Sequence, residues 1–341
     1  MEIIRSLYST VYCQAHSQAN GLLLAGNNEG KILVYNIECL LEREEGGGVS
    51  GERPEGPSVA VNASLHPVYS MVSSPAFAIT GSSGSLAGWR WSDLKELDEA
   101  VSPAWTIALQ GDQSNFGTPE INGLSYNAES NLIWAACGDW KARGYDMETG
   151  RLISTLDAHK DYVHQVAVSG SSGVVSCGED GAVLVWDCRA PRVPVMTIVP
   201  SQQTSLARPN LGKFVRCVDT AGGEWLVCGG GPSAGVFHLR SGGLVATLPP
   251  SDALTPVTVA QFTRQDQASS IVTAGCDGGG VSVCSLSGQV TAQLPAVARC
   301  VYSVAASFDK HTLMSVAGTG SRIDICLNLS YRDHSLSTVL D

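Results

Sequence analysis

The sequence predicts an all-β fold, a seven-bladed β-propeller with four antiparallel strands per blade. Three observations predict it. An apolar segment, a Gly-rich turn and a second apolar segment recur seven times. Their turn glycines, Gly26, Gly81, Gly138, Gly178, Gly229, Gly275 and Gly318, stand 40 to 57 residues apart, close to a propeller-blade repeat. The composition, with 37 Gly and 16% charged residues among 341, suits strands and turns. Further strand-like segments flank each hairpin, and four short strands per unit in a radial array leave only short, protected edges. The length therefore reads as one domain over residues 1–341, not the two or three that length alone suggests.

The hairpins run in order from Gly21 ("GLLLAGNNEGKILVYNI"), Ala76, Leu132, Gly173 ("GVVSCGEDGAVLVWDC"), Trp225, Ser270 and Thr312. Ahead of them lie inner-strand candidates such as "PVYSMV" from Pro67, "YVHQVAV" from Tyr162, "FVRCVD" from Phe214 and "VYSVAAS" from Val301. Behind them lie outer-strand candidates, "RLISTL" from Arg151, "VPVMTIV" from Val193 and "GLVATL" from Gly243. "HSLSTV" from His334 alternates over a longer run than Glu2–Arg5 and is expected to be the outer strand of the last blade. Leu41–Pro57, polar and Gly-rich, reads as a flexible loop between the third and fourth strands of blade one. Ser92–Ala100 is expected to hold a helical turn, and Gln110–Pro119 and Pro200–Gly212 to connect blades.

Charge and cysteine usage narrow the function classes. With 21 Lys and Arg against 32 Asp and Glu, the net charge of −11 provides no global field for nucleic acid. Arg189, Arg192, Arg208, Lys213 and Arg216 form one weak basic patch in sequence, without interleaved aromatic residues to stack bases. The 11 cysteines contain no C-x-x-C pair and sit in apolar runs, as buried free thiols of a reducing compartment would. The sequons at Asn62 and Asn328 then read as chance matches. No signal-peptide block or membrane-spanning apolar stretch is found, so no membrane partner is expected.

Chemical motifs are sparse. There is no nucleophile elbow and no phosphate loop, and "GNNEGK" has the wrong spacing. "GGGP" from Gly229 is expected to be a hairpin turn needing φ > 0 rather than an anion cradle. His159 and His164 lack the Cys or carboxylate set of a zinc site, and His164 is expected at a core or channel position. No catalytic residue, cofactor, metal or small-molecule substrate is expected, and the protein reads as no enzyme.

The fourth repeat carries "DAHKDYV", "SCGEDG" and "VWDCR". It resembles the WD40 repeat, with Ala158 in place of the usual Gly before the His. The resemblance implies a buried structural tetrad of His159, Ser176, Asp180 and Trp186. In blade two it implies a partial set of His66, Thr80 and Trp91, with Ser83 at the turn-Asp position. Trp186, Asp187 and Arg189 also fit the W-D-x-R box of WD40 substrate receptors for cullin-4 ubiquitin ligases, where the Arg contacts the adaptor.

"LLLAGNNEGKILVYNI", "PVYSMVS", "PEINGL", "DYVHQVAV", "GEDGAVLVWD", "WLVCGGGP" and "NLSYRDHSLS" occur in order along the chain and together resemble the THO complex subunit 6 family. That resemblance implies a nuclear, non-catalytic scaffold in mRNA processing and export. Its implied partners are other THO subunits, especially coiled-coil subunits 5 and 7, with RNA engaged mainly through the assembly.

Overall fold

The computed structural model describes residues 8–38, 40, 55–109, 117–248, 255–263, 270–276, 280–307 and 312–340. They form a seven-bladed β-propeller of seven four-stranded antiparallel sheets, each ordered from first to fourth strand as in the chain. Blade one holds β1 (Val11–Ser17), β2 (Leu22–Asn27), β3 (Lys31–Asn36) and β4 (Val59–Asn62). Blade two holds β5 (Ser70–Ser73), β6 (Phe77–Gly81), β7 (Ser85–Arg90) and β8 (Trp105–Ala108), with helix α1 (Trp91–Lys95) before its outer strand. Blade three is β9 (Ile121–Asn127), β10 (Leu132–Cys137), β11 (Ala142–Asp146) and β12 (Leu152–Leu156). Blade four is β13 (Val163–Ser169), β14 (Gly173–Gly178), β15 (Val183–Asp187) and β16 (Met196–Ile198). Blade five is β17 (Cys217–Ala221), β18 (Trp225–Gly229), β19 (Ala234–His238) and β20 (Gly243–Leu248). Blade six is β21 (Val257–Phe262), β22 (Ile271–Gly275), β23 (Val281–Cys284) and β24 (Val290–Leu294). Blade seven is β25 (Val301–Ser307), β26 (Leu313–Gly318), β27 (Arg322–Cys326) and β28 (His334–Ser337).

The chain divides into two compact units, one up to Ala108 and from Leu294 onward, the other Leu109–Gln293. In the first unit, β1 touches both β25 and β5, and an apolar layer packs between successive blades. In the second, β9, β13, β17 and β21 touch in series, with layers of the same kind. Trp89, Trp134, Trp186, Tyr35 and Phe237 are the largest fully buried rings, each from a second or third strand. The second strands are buried almost throughout, as in β2, β10 and β26, because both faces of an inner strand meet neighbouring blades, whereas the first strands are mixed.

β28 pairs with β27 through His334 to Ser337, so the C-terminal segment is the outer strand of blade seven. Residues 2–5 lie outside the described residues, as do 41–54 and 110–116 of the two expected loops. The helical turn expected within Ser92–Ala100 is present as α1, which starts one residue earlier and ends at Lys95, held by Trp91 and Leu94 in the core.

Candidate docking surfaces

Each blade presents two features at the same end of the sheet, the turn joining its second and third strands and the start of its first strand. Blade four shows how the turn is fixed. His159 Nδ1 donates to Asp180 Oδ2 at 3.0 Å, and His159 Nε2 accepts from the Ser176 hydroxyl at 2.9 Å. The Trp186 indole then donates to Ser176 Oγ at 2.9 Å. Asp180 also accepts from the amides of Lys160 at 2.9 Å and Ala182 at 3.0 Å. Burial alone would raise its pKa, but these donors together hold the carboxyl down at about 2. The chain is buried and every member has a partner, the condition under which a polar network stabilises.

The other blades fix their turns differently. In blade two Trp89, not Trp91, donates to Thr80 Oγ1, at 3.0 Å. Trp91 instead donates to the Ser74 carbonyl, and His66 is exposed, its amide capped by Ser64 Oγ. The reason lies in the turn. Thr80 pairs with Ala87, leaving six residues between them, whereas Ser176 pairs with Leu184 across seven. The shorter turn gives a His–Asp pair no place. In blade three the turn carboxylate Asp139 binds the buried Arg143 guanidinium through both oxygens.

In blade five, Arg208 donates to the carbonyls of Gly230 and Phe214 and lies 4.3 Å from the Phe214 ring centroid. The expectation of φ > 0 at Gly229 is not met, since neither it nor Gly230 or Gly231 has a positive φ. They are glycines because space is short. A methyl on Gly229 would lie 2.9 Å from Val257 Cγ1, and one on Gly231 would lie 2.7 Å from Arg208 Cδ. Arg208 lies against this turn and, with Phe214, lines a small cavity beside it.

The basic residues expected as one patch separate. Arg189 and Arg192 lie between β15 and β16, at one end of β16, while Arg208, Lys213 and Arg216 follow β16 at its other end. Arg208 is locked on carbonyls, and Arg216 Nη1 lies 3.3 Å from His164 Nδ1. Arg189 is 77% exposed, and Asp187 aligns its guanidinium through bonds of 2.9 and 2.6 Å.

The first strands supply a surface that sequence reading missed. β1, β9, β13, β21 and β25 each carry one extra residue near their start, a bulge that re-aims a side chain. Tyr69 and Arg216 stand at the corresponding place, just ahead of the paired residues of β5 and β17. In the first unit these positions are Tyr12, Tyr69 and Tyr302, with Tyr12 ring centroids 6.0 Å from Tyr69 and 5.8 Å from Tyr302. In the second they are Asn122, His164, Arg216 and Thr258. His164 is half-buried at the start of β13, donating from Nε2 to Glu179 Oε2 at 2.8 Å. The sequence carries little signal for this surface, because the runs after Tyr69 and Tyr302 do not alternate as the run after Tyr12 does.

No group of His, Cys, Asp and Glu fit for a metal ion exists among the described residues. The WD domain, G-beta repeat family matches residues 150–187, the segment that holds the tetrad turn of blade four. Over 337 residues the chain is 32% identical to a THO complex subunit 6 homolog of Danio rerio, covering 98% of this chain and 99% of the relative. It belongs to the THO complex subunit 6 family. The THO complex subunit 6 proteins of Homo sapiens and Mus musculus are each 31% identical to it, over 98% of this chain and 95% of theirs. The family likeness therefore spans all seven blades, including those whose turns have lost the repeat signature.

Proposed function

We propose that the protein is a non-catalytic scaffold subunit of a nuclear THO complex, supporting mRNA processing and export through protein–protein docking. The observation that carries this reading is likeness to THO complex subunit 6 relatives along nearly the whole chain. A propeller whose polar networks are internal anchors, as at Asp180, Arg143 and Arg208, leaves its rims free for partners. The partners in this reading are other THO subunits, especially coiled-coil subunits 5 and 7. RNA is engaged mainly through the assembly, because each phosphate contact needs a basic group and the basic residues here are divided and partly internalised. Affinity purification from nuclear extract with mass spectrometry tests it. Recovery of the other THO subunits supports the reading, and their absence sinks it.

A second reading rests on Arg189, exposed at the blade rim and aligned by Asp187. It makes the chain a substrate receptor of a cullin-4 ubiquitin ligase. Arg189→Ala would then abolish capture of the cullin-4 adaptor while leaving the THO subunits bound. Unchanged adaptor capture would dismiss it.

A further inference from the structure

We propose that Trp140 and Tyr162 form an aromatic site for an arginine side chain of a basic peptide segment, with Glu120, Asp161 and Glu179 supplying the countercharge. The evidence starts in the backbone. Trp140 sits in the turn between β10 and β11 at φ 71°, in the left-handed region. The matching position in blade four is Gly181 at φ 81°, and Gly30 and Gly84 do the same in blades one and two at φ 76° and 74°. Glycine adopts this conformation without steric cost, whereas a bulky side chain there is an outlier. Blade three holds an indole in strain where its neighbours use no side chain at all.

What the indole adds is surface. Trp140 is 38% exposed and Tyr162, from the loop entering blade four, is 41% exposed. Tyr162 lies over the turn that carries Trp140. A methyl on Gly138, two residues before Trp140, would lie 3.3 Å from Tyr162 Cδ1 and 2.7 Å from Glu120 Oε2. The Glu179 amide donates to the Tyr162 carbonyl at 2.9 Å. Asp161 adjoins Tyr162, accepting from its amide at 2.8 Å. Among the described residues, Lys141 lies 3.5 Å from Asp157, Arg143 binds Asp139, and Arg216 lies 3.3 Å from His164. Lys160, exposed in the same loop, is a competing charge.

A cation over a Trp face gains from the ring quadrupole, and a guanidinium stacks flat while its N–H fork meets carboxylates. The net charge of −11 favours approach of a basic segment. The inference deepens the docking reading but is tested apart from it, since its failure leaves recovery of THO subunits untouched.

The experiment uses the full chain and a fluorescein-labelled peptide of alternating Arg and Gly, read by fluorescence polarisation, with an alternating Glu and Gly peptide as control. The expected result is binding of the Arg peptide alone. Trp140→Gly and Tyr162→Ala each weaken it roughly tenfold, the size of a well-formed cation–π contact. The Glu120→Gln, Glu179→Gln double variant weakens it and flattens its salt dependence. Because glycine relieves the turn, Trp140→Gly should melt at or above the wild-type temperature, which separates lost binding from lost fold. Wild-type affinity in both aromatic variants overturns the proposal. So does equal binding of the Glu peptide, or a lowered melting temperature in Trp140→Gly, which would make the indole a structural support.

Discussion

Blades two and four solve the same problem with different amounts of polar chemistry. Both bury a tryptophan on the third strand, Trp89 and Trp186, and both give its indole a hydroxyl acceptor, Thr80 and Ser176. Only blade four continues the chain through His159 to Asp180 and so ties its turn to the loop entering the blade. Blade two closes a turn one residue shorter, with Ser82 reaching the Pro67 carbonyl at 2.8 Å. Packing of the aromatic ring is common to both, whereas the anchor of the turn varies with its length. The repeat signature therefore reports on the anchor, and a blade without it can pack equally well.

The largest effects should ignore the difference between the blades. Trp186→Ala and Trp89→Ala each remove a fully buried ring and leave a cavity beside a stranded hydroxyl, a loss of about 3–5 kcal/mol. Denaturant unfolding of the two variants should give similar losses. A loss at Trp89 below about half that at Trp186 would mean that the network, not the packing, carries the tryptophan.

Two titratable groups, buried His16 and half-buried Asp219, extend the comparison to anchors with few partners. Burial lowers the pKa of His16 to about 4, its Nε2 lying 2.8 Å from Ser315 Oγ. Burial raises Asp219 to about 6, only partly offset by the amides of Phe262 and Thr220. The signs are opposite. Below the ordinary His value the unfolded chain takes up the proton first, so His16 costs stability as pH falls toward 4. Between about 6 and the ordinary carboxylate range the folded protein takes up the proton at Asp219, so stability rises as pH falls. Each contributes up to about 3 kcal/mol across its window. His16→Gln should flatten acid destabilisation between pH 6.5 and 4, and Asp219→Asn should steepen it. Thermal melts at several pH values decide, and identical profiles for both variants would refute the assignment.

Asp180→Ala strands His159 and the amides of Lys160 and Ala182, and should cost about 1–3 kcal/mol. Because the folded carboxyl titrates near 2, its stabilisation is present above the ordinary carboxylate range and lost only as pH falls through about 2. The cost should therefore be the same at pH 7 and pH 5. An unchanged melting point at both would show that the anchor carries no load.

The strands were legible in the sequence because β-branched and apolar runs bounded by glycine have few other readings. The blade-four chain was implied by resemblance to the WD40 repeat, not by periodicity or spacing. Blade two misled because Trp89 and Trp91, counted from Thr80, fall one residue short of and one residue beyond the spacing that separates Ser176 from Trp186. Only the pairing of Thr80 with Ala87 shows which indole reaches the hydroxyl. The basic cluster misled because neighbours in sequence can lie at opposite ends of a strand as short as Met196–Ile198. Arg143 gave no warning either, since its partner Asp139 reads as an ordinary turn residue until the pairing of β10 with β11 brings the two together.

The smallest expected effect is the sharpest test of the comparison. Ser83→Asp places in blade two the carboxylate that the repeat signature asks for. If the signature alone made the anchor, the substitution would recruit His66 and raise stability by about 1 kcal/mol or more. The geometry argues otherwise. His66 is exposed, its amide is capped by Ser64 Oγ at 3.0 Å, and Ser82 already ties the turn to the Pro67 carbonyl. A new carboxylate there faces solvent and gains no buried donor, so the change should stay within about 0.5 kcal/mol. Denaturant unfolding resolves the two cases, and a stabilisation above 1 kcal/mol that disappears in His66→Ala would show that turn length does not decide the anchor.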